Sequence, residues 1–173
     1  MLQEVFSSPV QRGTEFDRRF LNTLSRHAEM GALAQLVYIY SLGAGEPEIP
    51  YPKAKGRTIY IGETKRRTGA GLRFRGHIST SLTEGLSTLI NHTVSVYYHM
   101  GRALHLRVLK VTDGRTTKEA ERVLLRAHLH MFGSSPLGQG GTGKDNTPCE
   151  VARQFLADHD IHTECADLLG RLS

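Results

Sequence analysis

The sequence predicts a small α/β domain of the α+β kind: a three-stranded, largely antiparallel sheet flanked by helices, with helical additions at both ends. Two short runs rich in β-branched and aromatic residues, Leu36 to Leu42 and Thr58 to Glu63, are separated by a Gly- and Pro-rich interval. A third run, Ala103 to Thr112, alternates apolar and polar residues before Asp113-Gly114 ends it. Around them lie segments whose apolar residues recur at helical spacing.

Taken in order, residues 17–35 place Phe20, Leu21, Leu24, Ala28, Ala32 and Leu33 at that spacing and predict a first helix. The first strand follows directly. Gly43, Gly45, Pro47, Pro50, Pro52 and Gly56 mark residues 43–57 as a loop, so the first two strands form a hairpin with a long connection. Residues 66–78 are basic and lead into a helix through His77. Leu82, Leu86, Leu89 and Ile90 continue helically over 82–92. Thr93 to Tyr98 reads either as a strand or as more helix. After the third strand, Thr116 or Thr117 caps a helix that runs to Phe132, with Lys118 and Glu119 in its first turn. Residues 133–147 are Gly-rich loop, and 148–172 read as two short helices. The chain thus divides into an N-terminal helical extension (1–35), a core (36–133) and a loop with C-terminal helices (134–173).

The 173 residues suffice for one domain, and the net charge of +5 favours a polyanionic partner without separating DNA from RNA or an acidic protein. Cys149 and Cys165 form no CxxC pair and point to no oxidising compartment. Met1-Leu2-Gln3-Glu4 does not open a secretory leader, and no apolar run approaches the roughly 18 residues of a membrane-spanning helix. The expectation is a cytoplasmic protein without a membrane partner.

The chemistry centres on Arg73 and His77, thirteen and seventeen residues after Tyr60 of the strand-ending Tyr60-Ile61-Gly62. Four-residue spacing puts them on one helix face. A guanidinium that clamps phosphate and an imidazole that moves a proton suit phosphodiester cleavage. In the helix 117–132, Glu119, Arg122, Arg126 and His130 form a solvated side. Glu121 instead projects with Leu125, His128 and Phe132 inside the apolar arc. A carboxylate there is costly unless paired, protonated or bound to a metal, so a core-edge Glu–Arg pair is the alternative to a metal ligand. Lys65, Arg66 and Arg67, with Arg73 and Arg75, form the densest basic stretch and read as a phosphate-tracking surface.

This ordered set resembles the GIY-YIG nuclease family over about residues 36–133. Leu36-Val37-Tyr38 stands at the first tripeptide, Tyr60-Ile61-Gly62 matches the second, Arg73 and His77 match the Arg-x-x-x-His helix, and Glu121 matches the later helical glutamate. Leu36 and Val37 depart from the first motif, the loop between the tripeptides is long, and no Asn closely follows the Glu helix. Gln139 and Asn146 are the nearest amides. The resemblance implies a DNA endonuclease in which Glu121 holds Mg²⁺ or Mn²⁺ and Arg73 contacts the phosphate. Tyr38 would position or deprotonate the attacking water, and Tyr60 would orient water or phosphate. His77 would accept a proton directly or from Tyr38. A restriction-like enzyme, a structure-selective or repair nuclease, and a non-catalytic nucleic-acid-binding module all fit the scaffold, as monomer or homodimer.

Two further patterns are set aside. Gly138 to Asp145 nearly spells a phosphate-binding loop, but Asp145 replaces the Mg²⁺-binding Ser/Thr and the segment follows a helix, so no nucleotide cofactor is expected. Cys149, His159, His162 and Cys165 lack the close Cys pair of a structural zinc site.

Overall fold

The computed structural model describes residues 2–24, 35–65, 74, 77, 78 and 92–139. Its elements are β1 (Leu2–Val10), α1 (Arg18–Leu24), β2 (Leu36–Leu42), β3 (Ile49–Pro50), β4 (Lys55–Gly56), β5 (Thr58–Thr64), α2 (His92–His99), β6 (Leu104–Val111) and α3 (Thr117–Phe132). Four strands pair antiparallel in the order β1-β6-β2-β5, and β3 and β4 form a separate two-stranded ribbon inside the predicted 43–57 loop.

The sheet therefore has four strands, not the expected three, and the N-terminal addition begins with a strand rather than being wholly helical. β1 lacks a regular apolar period for two physical reasons. It is an edge strand with one partner, which tolerates Gln3, Glu4, Ser7 and Pro9. A register shift between Glu4 and Phe6 also breaks its alternation, so Leu2, Val5, Phe6 and Val10 do not repeat every second residue. β2, by contrast, is buried along its whole length because it has a neighbour on each side and helices on both faces.

The two faces carry two cores. Leu36, Tyr38, Tyr40 and Leu42 of β2 pack with Leu21 and Leu24 of α1, with Phe74 and Ile78, and with Val94 and Tyr98 of α2. Val37 and Ile39 pack on the other face with Ile61, Leu109, Val111 and the inner residues of α3. Residues 93–98 are helical, and the four-residue step from Val94 to Tyr98 turns both onto the core. Thr116 caps α3 in a capping box with Glu119, and Gly133 closes it in the left-handed region at φ 79°. On the expected solvated side of α3, Glu119 and His130 are exposed, but Arg122 is half-buried and Arg126 is only 9% exposed. A guanidinium on a long apolar stem can lie along a core that a carboxylate could not. No described helix is long and apolar enough to cross a membrane. The predicted 82–92 helix up to residue 91, the helices predicted for 148–172, the near-phosphate-loop beyond Gln139, and the Cys/His set lie outside the described residues.

Candidate active site

β2 and β5 form the expected antiparallel pair, and their register builds the site. Tyr38 stands opposite Gly62 and Tyr40 opposite Tyr60. Period-two alternation puts Tyr38 and Tyr40 on the same face. A Cβ at position 62 would lie 2.5 Å from the Tyr38 hydroxyl, so the ring crosses the strand at the one residue that leaves room. The glycine of the Tyr60-Ile61-Gly62 tripeptide is thus a steric requirement of the tyrosine on the neighbouring strand. The register shifts after Tyr40, leaving Ile59 as the extra residue on β5. Ile59 and Tyr60 consequently pack against the same core although they are consecutive.

His77 enters this tyrosine cluster from the flanking helical segment. Its Nε2 lies 3.0 Å from the Tyr38 hydroxyl, and both residues are fully buried. Its ring centroid is 5.3 Å from that of Tyr38, 5.4 Å from Tyr40 and 5.2 Å from Tyr60. Phe74 meets Tyr38 edge-on at 5.2 Å. Burial, reinforced by the Tyr38 and Tyr60 hydroxyls, pushes the Tyr40 phenol well above its ordinary range, which keeps it neutral. Tyr60 is the half-buried member of the cluster.

α3 lies on the opposite face of the sheet, with one flank over β5. Thr117 Oγ1 donates to Glu63 Oε2 at 2.6 Å near the start of that flank. His128 packs against Tyr51 further along it, with ring centroids 4.8 Å apart. Helical phase sets Glu121 between these two contacts, and it is half-buried. Among the described residues no three His, Cys, Asp or Glu side chains gather as a metal-binding group. Mg²⁺ commonly takes one carboxylate with water and phosphate oxygens, so of a metal site the described residues offer at most a half-buried Glu121 carboxylate.

The chain beyond α3 returns along the outer edge of β5. His128 Nδ1 donates to the Ser134 carbonyl at 2.8 Å, and Leu137 N donates to the Tyr51 hydroxyl at 3.1 Å. Gly138 N then donates to the Ile59 carbonyl at 2.7 Å, and Gln139 Oε1 accepts from Ile61 N at 3.4 Å. One of the two nearest amides therefore sits beside the tripeptide. Tyr40, Tyr51 and His128 were not singled out by motif. Only Tyr40 carried a usable signal, its two-residue step from Tyr38 on a strand.

The structure brings together Tyr38, Tyr60 and His77. It places Glu121 on the helix of the other face, and Lys65 exposed just past β5. Arg66, Arg67, Arg73 and Arg75 lie outside the described residues. No protein-family model, curated protein or solved structure matches the chain.

Proposed function

We propose that this protein is a divalent-metal-dependent endonuclease that hydrolyses DNA phosphodiester bonds at the outer edge of β5. The observation that carries the reading is the buried Tyr38–His77 hydrogen bond, 3.0 Å long, made possible by Gly62 beneath the tyrosine ring. A phenol and an imidazole sharing a proton inside a protein form a line along which a nucleophile's proton can be taken up. Tyr60, the half-buried neighbour, orients water or phosphate. Glu121 holds the Mg²⁺ or Mn²⁺, and Arg73 contacts the phosphate. The cation supplies charge stabilisation at the scissile phosphate and leaving oxygen. Lys65 with Arg66, Arg67 and Arg75 tracks the DNA backbone, in keeping with the net charge of +5.

The complete burial of both Tyr38 and His77 favours a second reading, in which the pair is part of the core of a non-catalytic nucleic-acid-binding module. One experiment separates the two. Supercoiled and linear DNA are incubated with the protein in Mg²⁺ or EDTA, beside Glu121→Ala. Cleavage by wild type with metal alone, and not by the variant, supports the nuclease. Equal cleavage by the variant, or none by wild type across several DNA structures, sinks it. Salt-sensitive binding without cleavage supports the module. Discrete fragments indicate a restriction-like enzyme, and preference for branched or damaged DNA a structure-selective or repair role.

A further inference from the structure

We infer that Tyr40 is a positioning residue for His77, holding the segment that carries the imidazole so that Nε2 meets the Tyr38 hydroxyl. The inference rests on the nuclease reading and extends it to a residue outside the motif set.

Tyr40 holds the segment at two points. Its hydroxyl donates to the carbonyl of Phe74, three residues before His77, at 3.4 Å. Its ring lies 5.4 Å from the His77 ring. Tyr38, two residues earlier on the same strand, bonds the imidazole itself. Adjacent same-face positions of one strand thus contact the segment at Phe74 and at its functional atom, His77 Nε2. The strand is central in the sheet and paired on both sides, so it is a firm reference for that geometry. A packing residue would need only a phenylalanine here. The hydroxyl is fully buried, and burying one for no purpose is unfavourable. Its raised pKa keeps it a donor throughout the working range. Among the described residues, the titratable rings packed against His77 include Tyr38 and Tyr40 on β2 and Tyr60 on β5.

The test is Tyr40→Phe, which keeps the ring and removes the hydroxyl, beside Tyr98→Phe as control. Tyr98 belongs to the same core, but its hydroxyl accepts from Arg18 N at 2.9 Å and serves α1. The His77 ring-nitrogen signals are followed by NMR in each protein, and kcat and KM for DNA cleavage are measured. Loss of one hydrogen bond in Tyr40→Phe should lower kcat about three- to tenfold with KM unchanged. Loosening the cage should also weaken the Tyr38–His77 bond, read as a changed His77 Nε2 chemical shift. Tyr98→Phe should change neither. A wild-type His77 Nε2 signal and kcat in Tyr40→Phe, or equal changes in Tyr98→Phe, overturn the inference. The NMR arm reads the Tyr40–His77 link whether or not the wild type cuts DNA. An inactive wild type therefore counts against the nuclease reading alone.

Discussion

Gly62 and Tyr38 face each other across β5 and β2 so closely that a methyl group on the glycine would meet the phenol oxygen at 2.5 Å and its ring carbons at 2.6 and 2.8 Å. The ring is fully buried among Tyr40, Tyr60, Phe74 and His77, so it cannot swing aside as a surface side chain would. Gly62→Ala should therefore destabilise the fold by about 1–3 kcal/mol through overpacking. Urea unfolding measures this. A stability within error of wild type would show that Tyr38 has room to move.

Tyr38→Phe tests the same relationship from the other side. It keeps the packing and removes the hydroxyl that meets His77 Nε2. If the pair moves a proton, DNA cleavage should fall by about two to four powers of ten, with substrate binding largely retained. His77→Gln should fall comparably, and the double variant little further, because the two act as a unit. Fully additive losses would show that they act separately.

His128 predicts an acid-sensitive fold. Burial lowers its pKa, outweighing the Ser134 hydrogen bond, which acts the other way. With Nδ1–H donated to Ser134, Nε2 is the bare nitrogen, and among the described residues it meets no hydrogen-bond partner. Protonation would bury a cation with nowhere to donate. The unfolded chain binds this proton near pH 6.5 while the folded chain does not, so stability falls as pH drops below about 6.5 towards the folded pKa. Below that value the effect is complete and the contribution is flat. His105, lowered by burial and by Arg107, contributes with the same sign. His128→Gln should reduce the acid slope without abolishing it. An unchanged slope in urea midpoints between pH 7.5 and about 5 would assign the effect elsewhere.

The central strands and α3 were legible because their patterns are strong. β2 is a continuous apolar run, β5 a β-branched one, and α3 has a capping box and a glycine C-cap. β1 was not, because an irregular, polar edge strand is recognised through its pairing with β6, which lies about a hundred residues away. At the site, a Tyr38–His77 contact is one of two alternatives the family resemblance implies, whereas the role of Gly62 comes from strand register. The same register pairs Tyr60 with Tyr40 rather than with Tyr38. Glu121 is half-buried, but so is Arg122 of the expected solvated side, and Arg126 is buried, so burial does not separate the two sides as the periodicity suggests; the position of Glu121 across the sheet from His77 depends on which face α3 covers. Helical periodicity contains no information about that choice.

Gly133 links the end of α3 to the segment beside the tripeptide. It has φ 79°, which costs a residue with a side chain about 1 kcal/mol. Its surroundings add a second cost, since a Cβ would lie 2.9 Å from Lys53 Cγ and 3.2 Å from Pro52 Cβ. Lys53 cannot retreat freely, because its N–H donates to the Phe132 carbonyl at 3.0 Å and its Nζ to the His130 carbonyl at 3.3 Å. Gly133→Ala should thus lose about 1–3 kcal/mol. Gly133→Asn separates the two costs, because asparagine tolerates the left-handed region but brings the same Cβ. If backbone strain dominates, Asn recovers most of the loss. If the crowding against Lys53 dominates, Asn is as damaging as Ala, and Lys53→Ala in the Gly133→Ala background restores stability. Either variant should also loosen Gly138 and Gln139 from β5, read as faster hydrogen exchange at Ile61, whose N–H bonds Gln139. Wild-type exchange at Ile61 in a destabilised Gly133→Ala would mean that this segment holds to β5 independently of the helix end.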